Sequence, residues 1–336
     1  MLANKQNISR ITKTDAEIKV YLSNNMAKVL LIGEPMALLI ADTVGPLEEV
    51  ESFTRKLAGA EVNVAIGLTR LGHVATYVTR LGQDPFGVYT KATLENEGIS
   101  TEFITFDDEF KTGMMLKGKV LDGDPHVAYY RKGSAASKIT PVQMDEIDLS
   151  GFDLVHMTGI LPALSLECRA ATRRLMERAK AAGITVSFDP NLRPTLWESK
   201  EVMAQTLNDL ATLADIVLPG IEEGQILMGS SDPAEIADYY QKLGAKQVVV
   251  KLGPEGAYAR DGEASTVIPG FKVETVVDTV GAGDGFATGV ISGVVEGLPL
   301  NDAVLRANAI GSIQVQHASD NEGLPTRDEL ATYMNR

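Results

Sequence analysis

Residues Thr275 to Gly289 read TVVDTVGAGDGFATG, an order of residue types suited to chemistry on an anion. An apolar strand end is expected to enter Gly281-Ala282-Gly283-Asp284, with helical spacing continuing to about Glu296. Glycines at such a junction let the backbone turn tightly and approach a ligand. The first N–H groups of a helix lack internal acceptors and coincide with the positive end of its dipole. Gly281, Ala282 and Gly283 are therefore expected to form a pocket for a phosphate or a developing anion. Asp284 lies inside that pocket, where its charge would repel a phosphate. A carboxylate there suits a general base that takes a proton from an attacking hydroxyl while the amides stabilise a transferring phosphoryl group. With the reference carboxylate pKa of about 4, it would be ionised at neutral pH. Taken alone, GAGD fits a tight turn with Asp284 as helix cap equally well. Two familiar nucleotide loops are excluded: Phe286 stands where a dinucleotide fingerprint needs glycine, and no GxxxxGK[ST] stretch occurs.

Such a loop must be held at the edge of a sheet. Apolar runs at Lys28–Ile32, Val74–Arg80, Leu154–Met157, Ile184–Phe188, Ile216–Leu218 and Gln247–Lys251 read as strands. Between them, Ala60–Leu71 (closed by Gly72) and Ser165–Ala182 (closed by Gly183) read as helices. Repeated β–α–β units predict an α/β fold: a mostly parallel sheet with helices on both faces and ligands beyond the carboxyl ends of its strands. Thr112–Arg131 breaks the rhythm. It alternates in character around Asp122-Gly123-Asp124-Pro125, a hairpin with a turn just over two residues long. It would be an edge decoration or a small β lid. No repeat or linker interrupts the chain, so one domain is expected over residues 27–336. A loose polar extension, residues 1–26, precedes it and lacks the apolar core of a signal peptide.

Bulk properties narrow the function further. With 31 Lys and Arg against 45 Asp and Glu, the net charge of −14 argues against a general nucleic-acid binder, which needs a basic face. No apolar run is long enough to span a bilayer. A single cysteine, Cys168, excludes an internal disulfide and a cysteine-based metal cluster, and fits a cytoplasmic protein.

The segment Asp278-Thr279-Val280-Gly281-Ala282-Gly283-Asp284-Gly285-Phe286 closely resembles the C-terminal signature of the ribokinase-like (PfkB-type) carbohydrate kinases. Gly59-Ala60-Glu61-Val62-Asn63-Val64-Ala65 resembles that family's sugar-binding segment, and Leu81-Gly82-Gln83-Asp84-Pro85-Phe86-Gly87 the strand exit that follows it. The resemblance runs in order from about Lys28 to His317. Within the family it is strongest to the 2-keto-3-deoxygluconate kinases, through Tyr129-Tyr130-Arg131-Lys132-Gly133-Ser134-Ala135-Ala136 and Asp189-Pro190-Asn191-Leu192-Arg193-Pro194-Thr195-Leu196-Trp197. An arginine fork pairs with a sugar-acid carboxylate in a bidentate, charge-assisted way, and a neutral hexose would gain less from it.

The resemblance implies ATP and Mg2+, with activation by a monovalent cation left open. It assigns Asp284 as base and the amides of Gly281, Ala282 and Gly283 as anion hole. Gly59, Asn63, Tyr129, Arg131, Arg193 and Asp278 would contact the sugar or sugar acid. Asn191 would lie near the phosphates, and Lys251, Gly253, Gly256 and Asn308 on the nucleotide side. Glu223 would place the metal through water, as magnesium keeps several of its waters. Three departures bear on the sugar and the metal. Gly220 replaces the asparagine of the family's N-x-x-E stretch, Met115 a substrate-contacting tyrosine, and Ala58 a glycine. A fructokinase or ribokinase is the alternative enzyme, and a non-catalytic sugar- or nucleotide-binding regulator the alternative class. Edge strands of the lid could pair between subunits, giving a homo-oligomer.

Overall fold

The computed structural model describes residues 26–121, 123 and 125–335. Residues 1–25 of the expected 1–26 extension, and Asp122 and Asp124 of the expected turn, lie outside the described residues. Among the described residues, thirteen strands form two sheets. They are β1 Lys28–Ile32, β2 Met36–Ala41, β3 Phe53–Ala58, β4 Val74–Gly82, β5 Ser100–Asp107, β6 Met114–Lys117 and β7 Val127–Tyr130, followed by β8 Leu154–Thr158, β9 Thr185–Asp189, β10 Ile216–Val217, β11 Gln247–Lys251, β12 Ala257–Asp261 and β13 Ala264–Ile268. The large sheet runs β13-β12-β11-β10-β9-β8-β1-β4-β5. Every pair from β11 to β5 is parallel, and β12 and β13 add an antiparallel edge.

The apolar runs explain this sheet. A strand covered on both faces must be apolar on both. In β1, Leu30 and Ile32 enter one core layer while Val29 and Leu31 enter the other, the period-2 alternation of an extended chain. Helices α1 Ala60–Arg70, α2 Pro85–Asn96, α3 Leu166–Ala181, α4 Ile221–Met228, α5 Ala282–Val295 and α6 Leu300–Gln314 pack on these faces or sit at the strand ends. Helix α5 follows the GAGD loop and is held very close to α6. A Cβ on Gly289 would stand 2.3 Å from the Ala307 Cα, so only glycine permits this spacing.

The small sheet runs β3-β2-β6-β7, with β2–β3 and β6–β7 antiparallel and β2–β6 parallel. The expected hairpin is its β6–β7 half, in register from Met114↔Tyr130 to Lys117↔Val127. Pairing ends where Gly118 N–H donates to His126 C=O (2.8 Å), short of the tight turn expected around Asp122-Gly123-Asp124-Pro125. Pro125, with no N–H, cannot extend the ladder. The other half, β2 and β3, was not anticipated. The apolar MALLIA of β2 follows β1 after only Gly33-Glu34-Pro35. The expected strand end before Gly281 also does not form. Val277 and Asp278 instead donate their N–H groups to Val315 C=O at the end of α6 (2.8 and 3.3 Å).

Candidate active site

A cavity of about 410 Å³ opens between the small sheet and the carboxyl edge of the large one. Of the residues picked out from the sequence, Gly59, Asn63, Tyr129, Arg131, Asn191 and Arg193 line it, as do Glu223, Lys251, Gly281, Gly283 and Asp284. Ala282, Gly253, Gly256, Asn308 and Asp278 do not.

Gly281 starts α5 with φ 77°, and a Cβ there would stand 2.1 Å from the Asp320 carbonyl oxygen, so both conformation and space require glycine. The expected anion hole is only partly available. Ala282 N–H is turned back onto Thr279 C=O (3.3 Å), and Gly285 N–H bonds Gly281 C=O (2.8 Å). Gly283 and Asp284 N–H take no backbone acceptor, and nothing stands within 4 Å of where a Gly283 Cβ would be. Those two groups, at the positive end of α5, form a cradle that a phosphate fits.

Asp284 accepts a hydrogen bond from Asn63 Nδ2 (2.8 Å). Removal of water by the surrounding protein raises its pKa to about 6. The Asn63 bond and Arg193 oppose the rise, while Asp189 and Asp320 add to it. Asp284 is therefore ionised at neutral pH by a narrower margin than a reference carboxylate. Asn63, only 1% exposed, spends its amide on Asp284 and on Asn321, so it faces the carboxylate first and the cavity second.

Two loops bring cations to the opposite wall. Past β9, buried Trp197 anchors the 189–197 loop, and Arg169 lies 4.8 Å over its ring. Asn191 adopts φ 39°, an uncommon conformation for a non-glycine residue. Its Oδ1 accepts from Arg193 Nη1 (2.6 Å), which also donates to Leu192 C=O (2.9 Å). Lys251, at the end of β11, reaches Asp189 (2.8 Å) and lies 3.9 Å from Glu223. Burial would lower the Lys251 pKa, but those two carboxylates outweigh it and hold the ammonium charged. Burial raises the pKa of Glu223 despite Lys251. Glu223 rather than Glu222 faces the cavity, and its oxygens cap Gly220 N–H (2.7 Å) and Leu192 N–H (3.0 Å). Gly220, lacking the expected asparagine side chain, thus offers its backbone instead.

On the side of the small sheet, Arg131 donates Nε to buried Glu34 (2.6 Å), and a terminal nitrogen pairs with the same oxygen. The fork expected to meet substrate is thus partly occupied. Lys117 of β6 bonds Asp278 Oδ2 (2.8 Å), and Val280 N–H donates to Oδ1 (3.0 Å). Burial would raise the Asp278 pKa, but these bonds hold it below the usual carboxylate range. Asp278 acts on the cavity through Lys117, whose side chain lines it. Gly253, Gly256 and Asn308 gather elsewhere, at the exit of β13. Asn308 Nδ2 donates to the carbonyls of Ile268 and Pro269 (3.1 and 3.0 Å), and Gly256, with φ 102°, packs against Ile268 C=O. Asn308 is therefore a buried clamp on that segment.

Glu34, Glu61, Lys117 and Asp320 also line the cavity and were missed from the sequence, as was the role of Asp189 as partner of Lys251. Burial lifts Glu61 to about 7 against its bond from Thr158, and lifts Asp320 to about 6. Among the described residues no cluster of His, Cys, Asp or Glu could hold a metal directly, and no helix is long and apolar enough to cross a membrane.

The cavity thus holds an acid beside open helix-terminal amides, with cations on the opposite wall, and the chain has known relatives. Residues 26–327 match the pfkB family carbohydrate kinase model. The chain is 49% identical to the 2-dehydro-3-deoxygluconokinase of Bacillus subtilis (strain 168) over 304 residues, 90% of this chain and 94% of that one. It is 33% identical to the enzyme of that name from Thermoproteus tenax over 307 residues, 90% and 93% of the two chains. Among solved structures it superposes with a TM-score of 0.81 and 25% identity on a fructokinase double mutant from Vibrio cholerae O395 bound to fructose, ADP and potassium, covering 92% and 98% of the chains. The chain belongs to the PfkB family of carbohydrate kinases and is an ATP-dependent sugar kinase.

Proposed function

We propose that the chain phosphorylates 2-keto-3-deoxygluconate, most simply at the 6-hydroxyl, with Asp284 as general base. The observation that carries the choice of a sugar acid is Arg193. It is exposed at the cavity and spends only Nη1 on Asn191 and Leu192 among the described contacts. Its Nε and Nη2 are the donors that a planar carboxylate accepts in pairs. The relatives named 2-dehydro-3-deoxygluconokinase support the same reading. Arg131 contributes the part of its fork that Glu34 leaves open, and Gly59, Tyr129 and the Lys117–Asp278 pair shape the remainder of the sugar site.

In this reading the substrate hydroxyl lies between Asp284 Oδ1 and the cradle of the Gly283 and Asp284 amides. The hydroxyl proton passes to the Asp284 carboxylate as the new O–P bond forms and ADP departs. ATP supplies the phosphoryl group, and Mg2+ neutralises phosphate charge. Glu223 would reach the metal through water, which suits an ion that keeps its hydration. Lys251 and Asn191 would face the phosphates, with Gly253, Gly256 and Asn308 shaping the nucleotide side beyond. The small sheet acts as a lid whose closure keeps water from the phosphoryl group. Acting in the cytoplasm, the protein would pair with a second copy along the edge strand β7, where Tyr129 and Tyr130 are exposed.

Replacing Arg193 tests the carboxylate partner. Arg193→Ala is expected to raise KM for the sugar acid by about 10-fold or more, the worth of one charge-assisted pair, with a smaller effect on kcat. Steady-state kinetics with unchanged sugar-acid KM would remove Arg193 from substrate recognition.

A further inference from the structure

The loop after α6 is built around one side chain. Ser319 takes φ 131°, a conformation rare outside glycine and found where surrounding structure over-determines the backbone. Gln314 Nε2 holds the Ser319 carbonyl (2.6 Å), and Arg70 Nη1 holds the carbonyl of Asn321 (2.9 Å). Lys56 of β3 pairs with Glu322 (2.5 Å), the next residue. These ties fix the Asn321 side chain against α1 and β3, where its Nδ2 donates to Leu57 C=O (3.3 Å) and to Asn63 Oδ1 (3.1 Å).

The direction of this relay follows from its far end. A backbone carbonyl can only accept, so Asn321 must turn its NH2 toward Leu57. The same NH2 then faces Asn63, which must answer with its carbonyl oxygen. That leaves Asn63 only its own NH2 for Asp284 Oδ2, at 2.8 Å. Without Asn321, the buried Asn63 amide could rotate and present oxygen to the carboxylate, an arrangement that repels the ionised form.

We propose that Asn321 is a positioning residue for phosphoryl transfer: through Asn63 it fixes the donor that meets Asp284, keeping the base ionised and its second oxygen turned to the substrate hydroxyl. The proposal rests on the reading of Asp284 as the base. It also ties the base to the lid, because Leu57, the anchor of the relay, belongs to β3.

The test is the pH profile of kcat/KM for wild type, Asn321→Ala, Asn63→Ala and the double variant, with Asp284→Asn alongside. Asp284 faces Glu61, Asp189, Arg193, Lys251 and Asp320 across the cavity, and Glu61 and Asp320 are also raised, to about 7 and 6. The wild-type acid limb is expected near pH 6, and the part of it that Asp284→Asn removes is the part assigned to Asp284. Asn321→Ala should move it up by about 0.5 to 1 unit, so that turnover falls several-fold at pH 6 and little at pH 8. Asn63→Ala should move it about as far, and adding Asn321→Ala to it should move it no further, since two residues in one relay are not additive. Asn321→Leu keeps the side-chain volume without the donor and serves if Asn321→Ala fails to fold; the same upward shift is expected. An acid limb unmoved in the Asn321 variants, or an Asn321→Ala shift undiminished in the Asn63→Ala background, would overturn the proposal. Near-normal turnover of Asp284→Asn would instead overturn the assignment of the base itself.

Discussion

Asp284→Asn is expected to lower kcat at least about 100-fold while leaving the protein folded. The substitution keeps the shape of the side chain and one oxygen, so the Asn63 donor and the first turn of α5 can persist. It removes the group that can take a proton. Positioning and the amide cradle remain and account for residual turnover. Asp284 stands at a pKa of about 6 because protein displaces water around it, with Asp189 and Asp320 adding repulsion. A base must be unprotonated to act, so wild-type kcat/KM should rise with pH through about 6 and level off above 7. That rise should vanish in Asp284→Asn. Substrate KM should change little, because Asp284 acts on the transition state more than on the bound sugar. Turnover within a few-fold of wild type would contradict the role.

Glu296→Gln is expected to cost roughly 3–5 kcal/mol of stability at pH 7, the usual effect of removing one partner of a buried ion pair. Glu296 closes the C-terminal end of α5 with its side chain fully buried. Arg306 of α6 bonds one oxygen (2.7 Å). Arg327 bonds the other (2.5 Å), and His73 Nε2 lies 3.1 Å from that same oxygen. Burial alone would raise its pKa, but these three neighbours prevail and hold it near 2. The sign follows from linkage. A carboxyl depressed from about 4.5 contributes stability that is complete above that pH and is lost as pH falls toward 2. The gap between wild type and Glu296→Gln, read by urea unfolding, should therefore be large at pH 7 and shrink at acid pH. A gap below about 1 kcal/mol, or one that does not depend on pH, would contradict this account. The cluster matters for function because it anchors the far end of the helix whose near end carries Asp284.

The large sheet was legible because strands such as Val248–Val250 are short apolar runs, buried on both faces and separated by segments of helical spacing. The GAGD loop was legible for a similar reason: glycine, dipole and acid occupy consecutive positions. Residues that act from a distance were not. Glu34, Lys117 and the Asp320-Asn321 pair lie far apart in the sequence and come into one region only because the ends of β1 and β6 and the loop after α6 converge. Glu34 had one usable signal, an acid just beyond a buried strand at the edge where ligands bind. Strand β2 escaped because its short apolar run has no period of its own, and β3, FTRKLA, because most of it is polar and not buried. Arg131 reads as a free fork in sequence; only the fold supplies Glu34 to occupy it.

The central claim concerns the substrate, and ADP release measured with ATP and Mg2+ tests it most directly, comparing 2-keto-3-deoxygluconate with fructose and ribose. The arrangement of Arg193 and its neighbours predicts turnover with the sugar acid and little with either neutral sugar. Efficient phosphorylation of fructose or ribose, with none of the sugar acid, would contradict it and assign Arg193 to structure or nucleotide.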